Sequence, residues 1–395
     1  MATTPDEILK KYWGYERFRP LQKQIIETVL ADKNCIAILP TGGGKSICFQ
    51  VPTLLNGGLC IVVSPLIALM EDQVKNLIEK NIKAEALIGA LSKEYLMGKF
   101  EKIRYQKIKF LYLSPERLTN AMVQNQIKNL PVKLIAIDEA HCISEWGHDF
   151  RPAYRNICTL REIIPTVPVL ALTATATPFV VADIQKNLGI EKATIFSGKL
   201  KRKNIAYEVY ESEKKLDDLK SILTGVKNGT SIVYVNSRND TQNIAEWLTE
   251  QGIKASFYNG GMDAIARKKS YEKWKREEAK CMVATNAFGM GIDKGNIRVV
   301  VHMDLPNSIE NYQQESGRAG RDGKNSRAIL LVDKQATERL KKRVGKGLIM
   351  LPTLKKIHRY LYWYFNIAMG EMSDDAFAFD IFDFTKQYDL DLGNR

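Results

Sequence analysis

The chain has 395 residues, of which 45% are apolar and 26% charged; this length suits two domains, and this composition excludes a mainly disordered protein. No apolar stretch approaches the roughly 18 residues of a membrane span, and the amino terminus lacks the pattern of a secretion signal, so we expect a cytoplasmic protein that does not bind membranes. Lys and Arg outnumber Asp and Glu by 58 to 45, which favours a polyanionic partner, nucleic acid before a membrane surface, although many basic proteins bind neither.

Short apolar runs alternate with helical patterns along most of the chain. Such alternation predicts βαβ units and parallel sheets. Two series of such runs predict an α/β fold with two lobes in tandem. The first series covers residues 35–39, 60–63, 110–113, 134–137 and 169–172, and the second covers 231–235, 255–258, 281–284, 299–302 and 328–332.

A basic and polar segment at 199–204 joins the two series, and we expect it to be an exposed linker. We place the first lobe at 1–203 and the second at 204–345. Residues 346–395 repeat apolar side chains at helical spacing from 354 to 368 and then become acidic and rich in phenylalanine. They predict a short, mainly helical C-terminal segment, which we interpret as the start of a shortened accessory module.

A glycine-rich loop follows the first predicted strand and precedes a helical pattern. A bound triphosphate needs this arrangement, because backbone N–H groups and a helix N-terminus then approach its phosphates. Lys45 is expected to pair with the β- and γ-phosphates, and the Ser46 hydroxyl to ligate Mg²⁺. The common form of this loop has a glycine where this chain has Leu39, so an ordinary glycine turn is the minor alternative. The predicted nucleotide-binding residues of the loop are Thr41, Gly42, Gly43, Gly44, Lys45 and Ser46.

Two adjacent carboxylates follow the buried run at 134–137. Ligands bind at the carboxyl ends of strands in α/β sheets, so this position suits catalysis. Asp138 is expected to hold Mg²⁺, directly or through water, and Glu139 to orient and deprotonate the attacking water. Acidic pairs after strands also occur as caps, but the glycine-rich loop favours the catalytic interpretation.

Two arginines of the second series can complete such a site. Asn307, with Glu310 three residues later, predicts the start of a helix over 309–321. Two arginines on one helix face suit a γ-phosphate whose charge grows in the transition state. A solvated basic face is the alternative that spacing leaves open. The predicted face consists of Gln314, Arg318 and Arg321.

These motifs, in this order, resemble the superfamily two helicases and, more closely, the RecQ family of DNA helicases, over about residues 15–333. The resemblance implies two RecA-like lobes, ATP and Mg²⁺ as cofactors, and arginine fingers at the two arginines of the predicted helix. Phe18-Arg-Pro-Leu-Gln22 resembles the adenine-recognition motif of the family. It implies that Gln22 hydrogen-bonds the adenine edge and that Tyr15 and Arg19 stack on the base.

Further segments resemble the parts of the family that contact DNA or couple its binding to hydrolysis. These are 64–69, 114–117, 172–176 and, most specifically, the aromatic-rich loop at 142–154. From the residues alone its aromatic side chains suit a core, whereas the resemblance implies a sensor of single-stranded DNA, on which stacking is worth about 1–3 kcal/mol per base. The residues expected to bind DNA or to couple its binding are Ser64, His141, Trp146, His148, Phe150 and Arg151.

The second lobe resembles the same family at 232–238, 283–293 and 314–323, whereas the C-terminal segment departs from it. Many members continue with a four-cysteine zinc platform and a winged helix. No cysteine follows Cys281, and the six cysteines show no metal-ligand spacing, so we expect buried, reduced thiols and no zinc. The chain is then either from a zinc-less branch or shortened, which leaves duplex unwinding open but not ATP hydrolysis.

We therefore expect an ATP-dependent DNA helicase or translocase that acts on single-stranded and partially duplex DNA in repair or recombination. The resemblance implies 3′ to 5′ movement and association with the nucleoid; we expect a monomer, and the sequence does not identify which proteins it binds. One alternative is an RNA-dependent ATPase of the same superfamily, whose members usually have Ser-Ala-Thr where this chain has Thr173-Ala-Thr175. The other is a non-catalytic nucleic-acid-binding adaptor, against which the intact Lys45, Glu139 and arginine pair argue.

Overall fold

Each predicted series of strands forms one parallel sheet. The structure, a computed structural model, describes residues 4–89, 91–145, 147, 150–198, 202–289, 294–347, 351–365, 367 and 377–390. The first sheet has the strand order β3-β4-β2-β5-β6-β1-β7, and every neighbouring pair is parallel. Its strands are β1 (Cys35–Ile38), β2 (Leu59–Val63), β3 (Ala84–Leu87), β4 (Phe110–Leu113), β5 (Val132–Ile137), β6 (Val169–Thr173) and β7 (Thr194–Ser197).

The second sheet has six strands in the order β10-β11-β9-β12-β13-β8, again all parallel. The predicted α/β fold with two parallel-sheet lobes is therefore confirmed. The strands are β8 (Ile205–Glu211), β9 (Thr230–Tyr234), β10 (Ala255–Tyr258), β11 (Cys281–Ala284), β12 (Ile297–His302) and β13 (Ser326–Val332).

The periodicity missed β3, β7 and β8, which all lie at a sheet edge. An edge strand is less often covered on both faces than a central strand, so its sequence need not be continuously apolar. Most residues of β7 and β8 are exposed. In β3 a charge interrupts the run, since Glu85 forms ion pairs with Lys99 and Lys102.

Helices connect the strands and cover both faces of each sheet. Many begin with a side-chain cap: Thr177, for example, accepts a hydrogen bond from the backbone of Val180, and Pro178 occupies the first helical position. Twelve helices are described up to residue 334: α1 (Pro5–Trp13), α2 (Gln22–Leu30), α3 (Ile47–Asn56), α4 (Ile67–Glu79), α5 (Lys93–Tyr105), α6 (Ala121–Lys128), α7 (Cys158–Ile163), α8 (Pro178–Leu188), α9 (Lys215–Thr224), α10 (Arg238–Glu250), α11 (Ala264–Lys275) and α12 (Ile309–Ser316).

Alternate residues of each central strand enter different cores. In β1, Ile36 and Ile38 pack into one apolar cluster, whereas Cys35 and Ala37 pack into another on the opposite face. Such burial on both faces is what makes these strands continuously apolar, and it contributes about 1.5–3 kcal/mol for each large side chain. The two cores fix the sheet, so the loops at the carboxyl ends of its strands start from rigid positions.

Residues 335–395 form a separate compact unit, while residues 1–334 form the other. The helical character of the C-terminal segment is confirmed, with α13 (Ala336–Gly347), α14 (Leu351–Tyr364) and α15 (Ile381–Gln387). Aromatic rings of its helices contact one another: the Tyr364 and Phe384 ring centroids lie 5.3 Å apart. The boundaries 1–203, 204–345 and 346–395 stay a prediction. None of the described helices is both long and apolar enough to cross a bilayer.

Candidate active site

The glycine-rich loop runs from the end of β1 to the start of α3. Gly42 and Gly44 have φ angles of +74° and +76°, a backbone region that favours glycine. A β-carbon at position 44 would also lie 2.5 Å from Nε2 of Gln22. The loop therefore needs its glycines both for its conformation and for the close approach of a neighbouring side chain.

The predicted adenine-recognition residues contact this loop directly. The side chain of Gln22, 3% exposed, donates Nε2–H to the carbonyls of Gly43 (3.1 Å) and Gly44 (3.0 Å). Its Oε1 accepts a hydrogen bond from the backbone N–H of Arg19 at 2.8 Å, and the Arg19 guanidinium donates to the Gly42 carbonyl. Tyr15 is exposed and lines the same cleft as the loop. Gln22 thus supports the glycine-rich loop at 40–46 (the phosphate loop), and its contact with adenine stays a prediction.

The two carboxylates stand where β5 ends, across β6 from the glycine-rich loop. Lys45 Nζ lies 3.4 Å from Glu139 Oε1, and both side chains are largely buried. Burial, and then the charge of Glu139, raise the pKa of Asp138 to about 6, while the charge of Lys45 opposes this shift. Glu139 has a φ of +48°, a strained region for a non-glycine residue that is found at functional sites.

The residues of this cleft fit a magnesium ion. Mg²⁺ prefers oxygen ligands, and the Ser46 hydroxyl and the Asp138 carboxylate supply them. The pKa of Asp138 is raised mainly by burial and then by the charge of Glu139, and a divalent cation would favour the ionised carboxylate. The Ser46 hydroxyl accepts a hydrogen bond from Gln73 Nε2 at 3.3 Å. The sequence reasoning missed Gln73, which lies on α4, directly after the 64–69 motif.

The second lobe lines the same cleft, which has a volume of about 980 Å³. It contributes Gln314, Arg318 and Arg321, so the predicted juxtaposition of these residues with the phosphate loop is present. The predicted helix over 309–321 is wrong in its extent, because α12 ends at Ser316 and the two arginines lie in the turns that follow.

Local backbone chemistry explains the difference. Gly317 ends α12, and Gly320 has a φ of +55°, which breaks any continuing helix. The predicted start is also shifted: Ser308, rather than Asn307, accepts the capping hydrogen bond, from the backbone of Asn311 at 3.1 Å. Arg318 and Arg321 therefore reach the cleft from a loop, and not as one helix face.

The two lobes approach closely at glycines. A β-carbon at Gly317 would lie 3.2 Å from Cβ of Thr41, and one at Gly42 would lie 3.1 Å from Cγ of Arg321. The loop that carries the arginines is therefore in contact with the phosphate loop.

A buried polar pair in the second lobe supports that loop. His302 Nε2, at the end of β12, lies 2.9 Å from Oε2 of Glu315 in α12. The Tyr234 ring stacks on His302 with centroids 5.3 Å apart, and the Tyr234 hydroxyl donates to the Phe288 carbonyl. Sequence reasoning gave Glu315 no role, although this residue lies within the 314–323 motif.

Four of the residues expected to couple DNA binding are described, and these four lie on the first lobe. His141 Nδ1 is 2.9 Å from the Thr173 hydroxyl and 3.5 Å from Oε2 of Glu139. The Arg151 guanidinium donates to the Pro65 carbonyl at 3.0 Å, which joins the 142–154 loop to the 64–69 motif. Ser64 is 2% exposed, so its side chain is not open to a direct DNA contact in this structure, and a role in DNA binding would act through the residues packed around it.

The aromatic loop is described only in part, since Trp146 and His148 lie outside the described residues, as do 290–293 of the second-lobe motif. Phe150 is partly buried, with the Arg155 guanidinium 5.3 Å from its ring centroid. Tyr154 is fully buried and donates its hydroxyl to the Asp138 carbonyl at 2.9 Å. The described part of the loop thus reaches the backbone of Asp138, the first of the two predicted catalytic carboxylates.

The cysteines are free, and all but Cys158 are buried. Burial raises the pKa of the Cys35 thiol to about 12. Among the described residues, no cluster of three or more His, Cys, Asp or Glu side chains could hold a metal ion. The expectation of no zinc stays a prediction.

Comparison with known proteins identifies the family. The model of the DEAD/DEAH box helicases matches residues 19–184, and that of the helicase conserved C-terminal domain matches 214–323. The ATP-dependent DNA helicase RecQ of Bacillus subtilis is 44% identical over 338 residues, which are 85% of this chain and 57% of that protein. The probable ATP-dependent DNA helicase RecS of the same organism is 41% identical, over 83% of this chain and 67% of that protein.

Solved structures agree on the fold. Dbp5 of S. cerevisiae, bound to RNA and ADP BeF3, has a TM-score of 0.69 at 18% identity, over 87% of this chain and 93% of that one. The DUF1998 helicase MrfA bound to DNA has a TM-score of 0.67 at 20% identity, over 85% of this chain and 52% of that one. The chain spans about half the length of most of the RecQ relatives it matches. From its motifs, its two parallel sheets and these relatives, the chain belongs to the RecQ family of superfamily two helicases.

Proposed function

We propose that this chain is an ATP-driven motor on DNA, in which DNA-stimulated ATP hydrolysis drives movement along single-stranded DNA and the unwinding of partially duplex DNA. The observation that carries the proposal is that one cleft is lined by Lys45, Glu139, Arg318 and Arg321, which come from both lobes. A phosphate loop alone would bind nucleotide, whereas hydrolysis also needs a base and cations at the γ-phosphate. The curated relatives are named ATP-dependent DNA helicases, which supports the same conclusion.

The ion pair of Lys45 and Glu139 suggests how the site changes when ATP binds. The Lys45 ammonium can turn from Glu139 to the β- and γ-phosphates, which frees the carboxylate to orient water and accept its proton. Arg318 and Arg321 then stabilise the charge that develops on the transferred phosphoryl group. A magnesium ion on Ser46 and Asp138 would supply further charge neutralisation at the phosphates.

Coupling to DNA is proposed through the contacts of the first lobe. Arg151 links the aromatic loop to the 64–69 motif, and His141 links Glu139 to Thr173. A change in the loop on binding DNA would therefore move groups that contact the general base. Because the chain is basic and DNA phosphates release counterions, we expect DNA affinity to fall steeply with salt.

The family also suggests the setting. We propose ATP and Mg²⁺ as cofactors, 3′ to 5′ movement, action as a monomer in the cytoplasm on nucleoid DNA, and a role in repair or recombination.

The direction of movement is checked with two partial duplexes that differ only in whether the single-stranded tail is 3′ or 5′. Unwinding of the 3′-tailed substrate is the expected result, and preference for the 5′ tail would contradict it.

The proposal is tested by steady-state ATP hydrolysis without nucleic acid, with single-stranded DNA and with RNA of the same sequence. The Lys45→Ala variant is the blank, and Lys33→Ala, which lies on the surface before β1, is the matched control. We expect strong stimulation by DNA, little by RNA, and loss in Lys45→Ala only. Equal or greater stimulation by RNA would transfer the assignment to an RNA-dependent ATPase, and activity no higher than the blank would leave a binding module.

A further inference from the structure

Arg202, in the segment that joins the two sheets, donates hydrogen bonds to both lobes. Its Nη1 donates to the Thr41 carbonyl of the phosphate loop at 3.0 Å and to the Gly317 carbonyl of the second lobe at 3.1 Å. Its Nη2 donates to the carbonyls of Ala319 (3.3 Å) and Gly320 (2.5 Å). One guanidinium thus ties the phosphate loop to the loop that carries Arg318 and Arg321.

The surroundings of Arg202 differ from those expected of an exposed linker. The residue is partly buried, and burial is the main cause that lowers the pKa of its guanidinium. A β-carbon at Gly42 would lie 3.2 Å from Arg202 Nη1, so the backbone of the phosphate loop passes close beside it. The expectation of an exposed linker is therefore wrong at this position, because carbonyl oxygens of both lobes surround the cation.

A neighbouring residue shows which of these contacts are particular to Arg202. Asn204 Nδ2 donates to the carbonyls of Gly320 (2.8 Å) and Lys324 (2.9 Å). Both acceptors belong to the second lobe, so Asn204 shapes the arginine-bearing loop without linking it to the phosphate loop. Arg202 adds that link through Thr41.

We propose that Arg202 is a positioning residue for ATP hydrolysis, which holds the loop of Arg318 and Arg321 against the phosphate loop so that these arginines reach the γ-phosphate. The inference rests on the proposed function. Stabilisation of a transition state by cations depends on their placement to a fraction of an ångström, and a rigid tie to the phosphate loop provides such placement. The planar guanidinium has five N–H donors, whereas a lysine ammonium is a compact point charge that cannot reproduce the fork.

The test compares Arg202→Ala and Arg202→Lys with Lys203→Ala, which removes the same charge from the adjacent, exposed residue. We expect the maximal rate of DNA-stimulated ATP hydrolysis to fall about tenfold in both Arg202 variants, while the affinity for a fluorescent ATP analogue stays within about twofold. The thermal unfolding midpoint should stay within about 2 °C of the unsubstituted protein. Lys203→Ala should match the unsubstituted protein in all three measurements.

A double-substitution cycle decides whether Arg202 acts through the arginines. In single-turnover hydrolysis, Arg202→Ala should change the rate less than about twofold when Arg318 is already alanine, because residues that act as a unit are not additive. An undiminished tenfold loss in that background, a rate loss matched by a large fall in the unfolding midpoint, or full activity of Arg202→Ala would each overturn the inference. A lack of hydrolysis by the unsubstituted protein would instead contradict the proposed function itself.

Discussion

The two walls of the nucleotide cleft are built in different ways. The first wall consists of the glycine-rich loop between β1 and α3 and the acidic pair after β5, and Gln22, Arg19 and Tyr154 hydrogen-bond its backbone from within the same lobe. The second wall is a pair of turns after α12, held by the linker and by a buried polar pair. On the proposed function, we therefore expect the first wall to bind nucleotide by itself and hydrolysis to depend also on how the second wall is placed.

The largest effect is expected from removing the proposed general base of the first wall while its phosphate-binding residues are kept. Glu139→Gln keeps the shape of the side chain but removes the base, so the maximal rate of ATP hydrolysis should fall by about 10²–10⁴-fold. Binding of an ATP analogue should be retained, because Lys45 loses its ion-pair partner and keeps its phosphate role. Glu162→Gln, on the exposed surface of α7, is the control. Hydrolysis within twofold of the unsubstituted protein would rule out Glu139 as the base.

A smaller effect is expected from the support of the second wall. Glu315→Ala leaves buried His302 without its 2.9 Å partner, which should lower the free energy of unfolding by about 1–3 kcal/mol. The same change should loosen α12 and lower the rate of hydrolysis by about tenfold, since the arginines follow that helix directly.

Urea denaturation and ATP hydrolysis measure the two consequences separately. Glu250→Ala, at the exposed end of α10, is the matched control for loss of a carboxylate. Loss of stability with unchanged hydrolysis would show that the polar pair does not position the arginines.

The smallest effect lies at the edge of the second sheet, away from the cleft. The hydrogen-bonded Arg327 guanidinium lowers the pKa of Glu208 to about 2. Because the folded-state pKa is depressed, the pair stabilises the protein above the unfolded-state pKa of about 4.3, and this stabilisation is lost as the pH falls towards 2. The pair is partly exposed, so we expect only about 0.5–1 kcal/mol. The stability difference between the unsubstituted protein and Glu208→Gln should shrink from pH 6 to pH 3, and a constant difference would contradict this account.

The same contrast explains how much could be predicted from the sequence. The phosphate loop, the acidic pair and the central strands are contiguous patterns; the structure confirms the strands and brings the loop and the acidic pair to one cleft. The edge strands β3, β7 and β8 were missed because they lack continuous apolar runs. The helix over 309–321 was predicted too long, since the spacing of Gln314 and the arginines outweighed the glycines among them.

Long-range polar contacts left no pattern to detect. Gln73 reaches Ser46 across 27 residues, and Arg202 reaches Thr41 across 161. In Arg202 the acceptors are backbone carbonyls, which every residue carries, so no residue type marks the site. Such contacts follow from the packing of the lobes and appear only once the fold is known.

The most direct test of the composite site is to measure nucleotide affinity and hydrolysis on one protein, the double variant Arg318→Ala Arg321→Ala. If nucleotide binding needs only the first wall and hydrolysis needs both walls, this variant should bind an ATP analogue within about threefold of the unsubstituted protein. With single-stranded DNA it should hydrolyse ATP at least about 10³-fold more slowly. Retained DNA-stimulated hydrolysis would contradict the account, because the second lobe would then contribute no chemistry to the cleft.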